Sequence, residues 1–222
     1  MTHATVSETL FEALCAARGI HCQRIPVADQ TTPDYEIVLG VQLVIIEIKQ
    51  LDPNENDKQV NSALNAGADT GGVVSPAPRL REQIARGYRQ LKTAAREGQP
   101  CLLIIYNNSG FLNFIDSFTV TTAMFGSYGV RLGLAKTGEV RETGRGFMGN
   151  RRLTRNTCKR LSAIGVLKDA RSGSLRLEVY HNPFALVPIE PHLMKLLATS
   201  QFLHPNPHGG VSVPWEPSQV GA

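Results

Sequence analysis

The sequence predicts one α/β domain in which helices cover a sheet of buried strands, and three observations predict it. Two runs, "LVIIEIKQL" at 43–51 and "PCLLIIYNN" at 100–108, are apolar on both strand faces along most of their length, as central strands covered on both sides require. Between them, "RLREQIARGYRQLKTAARE" at 79–97 repeats its apolar residues at helical spacing. Helical and strand patterns alternate along 222 residues, a length that suits one good core and is short for two.

In chain order, residues 5–18 read as an amphipathic helix opened by a Thr5–Glu8 capping box, with Val6, Leu10, Leu14 and Ala17 on one side. A short strand follows near Gln23–Val27. "DYEIVLG" and "VQLVIIEIKQL" then form a hairpin, with Gly40-Val41 as a type II′ turn. Residues 52–78, rich in Asn, Asp, Gly and Pro, read as a long polar connection, functional or disordered. The helix at 79–97 carries Leu80, Ile84, Tyr88, Leu91 and Ala95 on its apolar stripe and stops at Gly98. "PCLLIIYNN" is a strand, "DSFTVTTAMFG" a short helix and "YGVRLGLA" another strand. Residues 141–160 hold seven basic residues against Glu142, a segment that either grips a nucleic-acid backbone, the favoured reading, or is a solvated loop and helix start. Two strands around Ser172-Gly173 lead into "HNP", and a last short helix spans 191–200. The domain is expected to cover 1–202, with an irregular Pro/Gly-rich tail at 203–222.

The bulk composition, 42% hydrophobic and 19% charged with mean hydropathy −0.13, is that of a soluble globule. No apolar run is long enough to span a bilayer and no secretory signal is evident, so no membrane role is expected. Cys15, Cys22, Cys101 and Cys158 lack C-x-x-C or zinc-knuckle spacing, which points to a reducing, cytoplasmic setting. The net charge of +4 gives mild support for a polyanionic partner.

The chemistry concentrates in "LVIIEIKQL". Side chains alternate along a strand, so Glu47 and Lys49 share a face with Leu43 and Ile45. With Leu39 opposite Gln42, paired residue numbers sum to 81, which sets Asp34 opposite Glu47 and Glu36 opposite Ile45. Two facing carboxylates repel unless one is protonated or a cation lies between them, and hard oxygen donors suit Mg²⁺ or Mn²⁺. Lys49, one step further along that face, can orient a water or neutralise a phosphoryl oxygen.

Pro33-Asp34, thirteen residues before the glutamate of "EIK", resembles the signature of the PD-(D/E)XK phosphodiesterases, the restriction endonuclease-like superfamily. Of the seven lysines only Lys49 has an acid two residues before it, and the chain has no other Pro-Asp. The order helix, strand, hairpin, loop, helix, strand is that of the superfamily's core, and the resemblance covers roughly residues 5–106. It implies a three-layer α/β/α core around a central mixed β-sheet, with residues 107–202 as an extension of the same domain. It further implies a Mg²⁺-dependent nuclease acting on DNA, in which Asp34 and Glu47 hold the metal and Lys49 assists the attacking water. The superfamily often adds a glutamate from its first helix, a place that Glu12 of "FEAL" takes; a helical wheel sets it opposite Leu10, on a solvated face.

Arg79, Gln83, Arg86 and Gln90 form a strip beside the second helix's apolar stripe, suited to phosphate contacts or to covering apolar surface with arginine stems. Arg151, Arg152 and Arg155 are the candidates for gripping a nucleic-acid backbone. His181-Asn182 reads more simply as a strand-end turn than as a general base. A homodimer would allow both strands to be cut. The alternative reading is a non-cleaving nucleic-acid-binding or structural module on the same fold; a third is an interaction protein in which Glu47 and Lys49 merely form an exposed ion pair.

Overall fold

The computed structural model describes residues 4–26, 32–69, 76–94, 98–109, 115–169 and 174–203. Seven strands form one mixed sheet: β1 (Cys22–Arg24), β2 (Tyr35–Leu39), β3 (Gln42–Leu51), β4 (Cys101–Asn107), β7 (Ala163–Asp169), β8 (Leu175–His181) and β9 (Ser200–Phe202), side by side in that order. β3, β4 and β7 run parallel at its centre, and β1–β2–β3 and β7–β8 pair antiparallel. The remaining two strands, β5 (Ser127–Leu134) and β6 (Val140–Met148), make a separate antiparallel ribbon.

Helices cover both faces. α1 (Val6–Ala17) buries Phe11, Leu14 and Cys15 on the face formed by Tyr35, Ile37, Val44, Ile46 and Ile48. α3 (Pro76–Ala94) and α4 (Ser117–Phe125) pack on the opposite face, where Leu80, Ile84 and Leu91 meet Ile45, Leu103 and Ile105. Gly87 gives α3 its close approach to β4, since a Cβ there would stand 2.4 Å from Leu103 Cδ1. Period-two burial along β3 thus divides the core between two helix layers.

The hairpin register is the one expected, with Leu39 opposite Gln42 and Tyr35 opposite Ile46. Gly40 takes φ 60° and Val41 does not take a positive φ, as a type II′ turn requires. The Thr5–Glu8 capping box is formed, but the buried stripe of α1 is rotated from the expected one. Phe11 and Cys15 go in, while Val6 is half exposed, because Phe11 packs edge-on against Tyr35 at 5.5 Å.

Residues 52–78 are not one polar connection. α2 (Glu55–Asn65) forms there, opened by a reciprocal capping box between Asn54 and Asp57. The following helix begins at Pro76 rather than Arg79, and its expected stripe member Ala95 lies outside the described residues. The basic segment is also different: 140–148 is strand β6, and no helix starts in 149–162. α5 spans only Pro191–Met194 before the chain returns to the sheet as β9. The turn at Ser172-Gly173 and the tail beyond Leu203 lie outside the described residues.

Candidate active site

Asp34 stands one residue before β2, where the antiparallel ladder ends. Its N–H donates to the Ile46 carbonyl at 3.1 Å, and its Oδ2 accepts from the Ile48 N–H at 2.7 Å. The side chain thereby takes over the ladder from the backbone, which fixes the carboxylate beside Glu47.

Glu47 lies on the α3 side of β3, in line with the buried Ile45 and Leu51, and is itself 0% exposed. Lys49 Nζ stands 2.5 Å from its Oε1. That ion pair serves Oε1, while Oε2 has no hydrogen-bond partner among the described residues. A buried carboxylate left in that condition is costly. Burial, reinforced by the charge of Asp34 and opposed by Lys49, pushes its pKa up to about 7. Asp34 is also raised, chiefly by burial, against the lowering effect of the Ile48 N–H and of Lys49. The exposed ion pair of the third reading is therefore not what the fold makes, since its carboxylate member is sealed in the core.

The first-helix acid whose charge reaches this pair is Glu8, which raises both Asp34 and Glu47. It is placed by its own cap and by β3. Glu8 Oε2 accepts from the Thr5 N–H at 2.6 Å, and the Ser7 N–H donates to Gln50 Oε1 at 3.1 Å, tying the first turn of α1 to the end of β3. Glu12, the residue expected as a ligand, belongs to a different group. Its Oε1 accepts from Tyr35 Oη at 2.6 Å and from Arg24 Nη2 at 3.2 Å, and the Tyr35 hydrogen bond holds its pKa below the usual range. Arg24 completes that network by reaching Glu8 Oε1 at 3.1 Å. The capping-box motif that named Glu8 was the available signal for it, read only as a cap.

The strip on α3 is divided in use. Arg79 donates to Asp57 Oδ2 and to the Asp52 carbonyl, both at 2.6 Å, and so fastens α2 and the end of β3 to α3. Arg86 pairs with Glu82 on the exposed surface, while Gln83 and Gln90 are half-buried. Arg151 and Arg155 line a cavity described below, and Arg152 is exposed beside it. His181 is buried and bonded to Gln201 at 2.8 Å, with its pKa lowered by burial, and Asn182 holds the chain turn after it.

Two carboxylates with hard oxygen donors, one of them with a buried oxygen that lacks a hydrogen-bond partner among the described residues, suit a divalent cation in their donor chemistry. Among the described residues no three His, Cys, Asp or Glu side chains converge as a metal-holding group. Nor, among them, is any helix long and apolar enough to cross a membrane. No protein-family model, curated protein or solved structure matches this chain.

Proposed function

We propose that the chain is a Mg²⁺- or Mn²⁺-dependent phosphodiesterase of restriction endonuclease-like architecture that hydrolyses DNA. The observation that carries this reading is the wholly buried carboxylate of Glu47, its Oε2 without a hydrogen-bond partner among the described residues, close enough to Asp34 to feel its charge and with Lys49 at 2.5 Å from Oε1. The succession α1, β1–β2–β3, α2, α3, β4 is compatible with the superfamily's core order once α2 is taken as an insertion in the connection between β3 and α3.

In this reading Asp34 and Glu47 hold the cation, which supplies Lewis-acid stabilisation of charge on a phosphoryl oxygen. Glu47 must be ionised to do so. Asp34 keeps its orientation through the Ile48 N–H, so one carboxylate is positioned before any ligand arrives. Lys49, partly exposed at the rim, orients the attacking water or donates to a non-bridging oxygen. Glu8 stays in its cap and tunes the pair through its charge.

The non-cleaving binding module is favoured by one observation, the Lys49–Glu47 contact, which offers the carboxylate an internal counter-charge. Incubation of DNA with the protein in Mg²⁺ or EDTA separates the two. The phosphodiesterase predicts metal-dependent cleavage that is lost in both Asp34→Asn and Lys49→Ala. Salt-sensitive binding without cleavage supports the module. Neither cleavage nor binding overturns both.

A further inference from the structure

The end of α4, the β5–β6 ribbon and the segment 151–156 enclose a cavity of about 390 Å³ that shares no residue with the Asp34–Glu47 pair. Four arginines line it: Arg131 and Arg145 from the ribbon, Arg151 and Arg155 from the segment that follows. No carboxylate is among the lining residues. Glu142 lies outside the lining and pairs with Arg145, at 2.7 Å from its Nε. A lining with four guanidinium groups and no carboxylate suits an anion.

The same cavity carries phenyl rings. Phe125 is buried, and Phe147 and Phe184 pack on it at 5.6 and 6.3 Å between centroids while remaining partly exposed. A small inorganic anion makes no use of such rings. A ligand that joins a planar apolar body to a phosphate uses both, by stacking on the rings and by bidentate contacts to the guanidinium groups. The volume falls in the range of small-ligand sites.

The walls are held in advance. The N–H groups of Arg152 and Leu153 donate to the Met124 carbonyl at 3.0 and 2.9 Å, fixing the arginine segment to the end of α4. Arg151 Nη2 donates to the Phe147 carbonyl, joining that segment to the ribbon. The Asn182 amide donates to the Leu161 carbonyl at 2.7 Å and its Oδ1 accepts from the Phe184 N–H at 3.0 Å, which sets the third ring. Pre-ordering of this kind lowers the cost of binding.

We propose that this cavity takes one nucleotide of a single-stranded DNA, its base against Phe147 and Phe184 and its phosphate among Arg131, Arg151 and Arg155. The inference deepens the phosphodiesterase reading by naming single-stranded DNA as what the extension grips. It is tested in EDTA, where metal-dependent cleavage is absent, so its failure and the failure of that reading are distinguishable.

The probe is a short fluorescein-labelled oligodeoxythymidylate, followed by anisotropy across a salt series. Arg131→Gln and Arg151→Gln should each weaken binding roughly tenfold and reduce the slope of log affinity against log salt by about 0.7. Phe147→Leu should weaken oligonucleotide binding roughly five- to tenfold while leaving the affinity for inorganic phosphate, measured by calorimetry, unchanged. Arg131 is an exposed ribbon residue, so its variant keeps the test valid if the others fail to fold. Equal affinity for single strand and duplex, together with indifference to Phe147→Leu, would overturn the proposal in favour of a backbone-binding patch. Thymidine monophosphate binding as tightly as the oligonucleotide would overturn the strand assignment in favour of a free nucleotide.

Discussion

Replacing Glu47 by glutamine is expected to stabilise the metal-free protein at neutral and alkaline pH, and the size follows from its surroundings. The carboxyl is wholly buried and its pKa is raised from the ordinary 4.5 to about 7. A group whose folded pKa lies above its unfolded one binds its proton more tightly in the native state. The native protein therefore loses stability as pH rises from about 4.5 to about 7, and the loss is complete above that window. Roughly 2.5 units at 1.36 kcal/mol each gives about 3 kcal/mol. Asp34 is raised in the same sense and adds to the slope. Glutamine has nearly the same shape and no charge at any pH, so the difference between variant and parent isolates the titration of this site.

The assay is thermal or urea denaturation in EDTA, for both proteins, from about pH 4.5 to about pH 8. The variant should gain on the parent by about 3 kcal/mol across that range, or roughly 6–12 °C in Tm for a domain of this size. Added Mg²⁺ should raise the Tm of the parent and not that of Glu47→Gln, since a ligand stabilises only the state that binds it. A stability difference that stays constant with pH would refute the reasoning, because Glu47 would then titrate as an ordinary solvated carboxylate. Gain of stability on removing a charge marks a site kept for function at a cost in folding.

Ser162→Ala is expected to cost about 2–3 kcal/mol in urea denaturation, because the buried hydroxyl accepts from the Cys101 N–H at 2.9 Å and donates to the Val187 carbonyl at 2.6 Å. Gly126→Ala should lower stability by about 2–3 kcal/mol in the same assay, since φ is 87° and a Cβ would stand 2.2 Å from the Met148 carbonyl oxygen at the foot of the ribbon. Glu12→Gln should leave Mg²⁺ affinity, read by calorimetry, within about twofold of the parent, because its carboxylate serves Tyr35 and Arg24. Glu8→Gln should change it more, and should bring the Glu47 titration down towards the ordinary range by removing a neighbouring negative charge.

What could be read from the sequence was whatever one local rule decides. The β2–β3 register needed only the turn glycine and the alternation of apolar residues; the ladder ends at Tyr35–Ile46, and Asp34 beyond it bonds the Ile46 carbonyl and the Ile48 N–H instead of pairing with Glu47 as expected. The stripe on α3 was legible because Leu80, Ile84 and Leu91 recur at helical spacing in a polar background. α2 was missed because it has little apolar face and is held instead by the long-range Arg79–Asp57 ion pair; its Asn54–Asp57 cap was the one local sign. Of the ribbon, β5 was legible in "YGVRLGLA", whereas β6 was not, because the period-two positions Arg141, Thr143 and Arg145 are polar and carry no apolar alternation. The helical wheel set Glu12 on a solvated face, and the choice of Glu8, one turn earlier, was beyond it. That choice was made at a distance, by Phe11 packing on Tyr35 and by Gln50 catching the first turn of α1. The cavity's three rings come from α4, β6 and the turn after β8, so only the tertiary fold brings them together. Local pattern thus located the charged pair, while the surroundings that decide which acid, which arginine and which ring join it are tertiary.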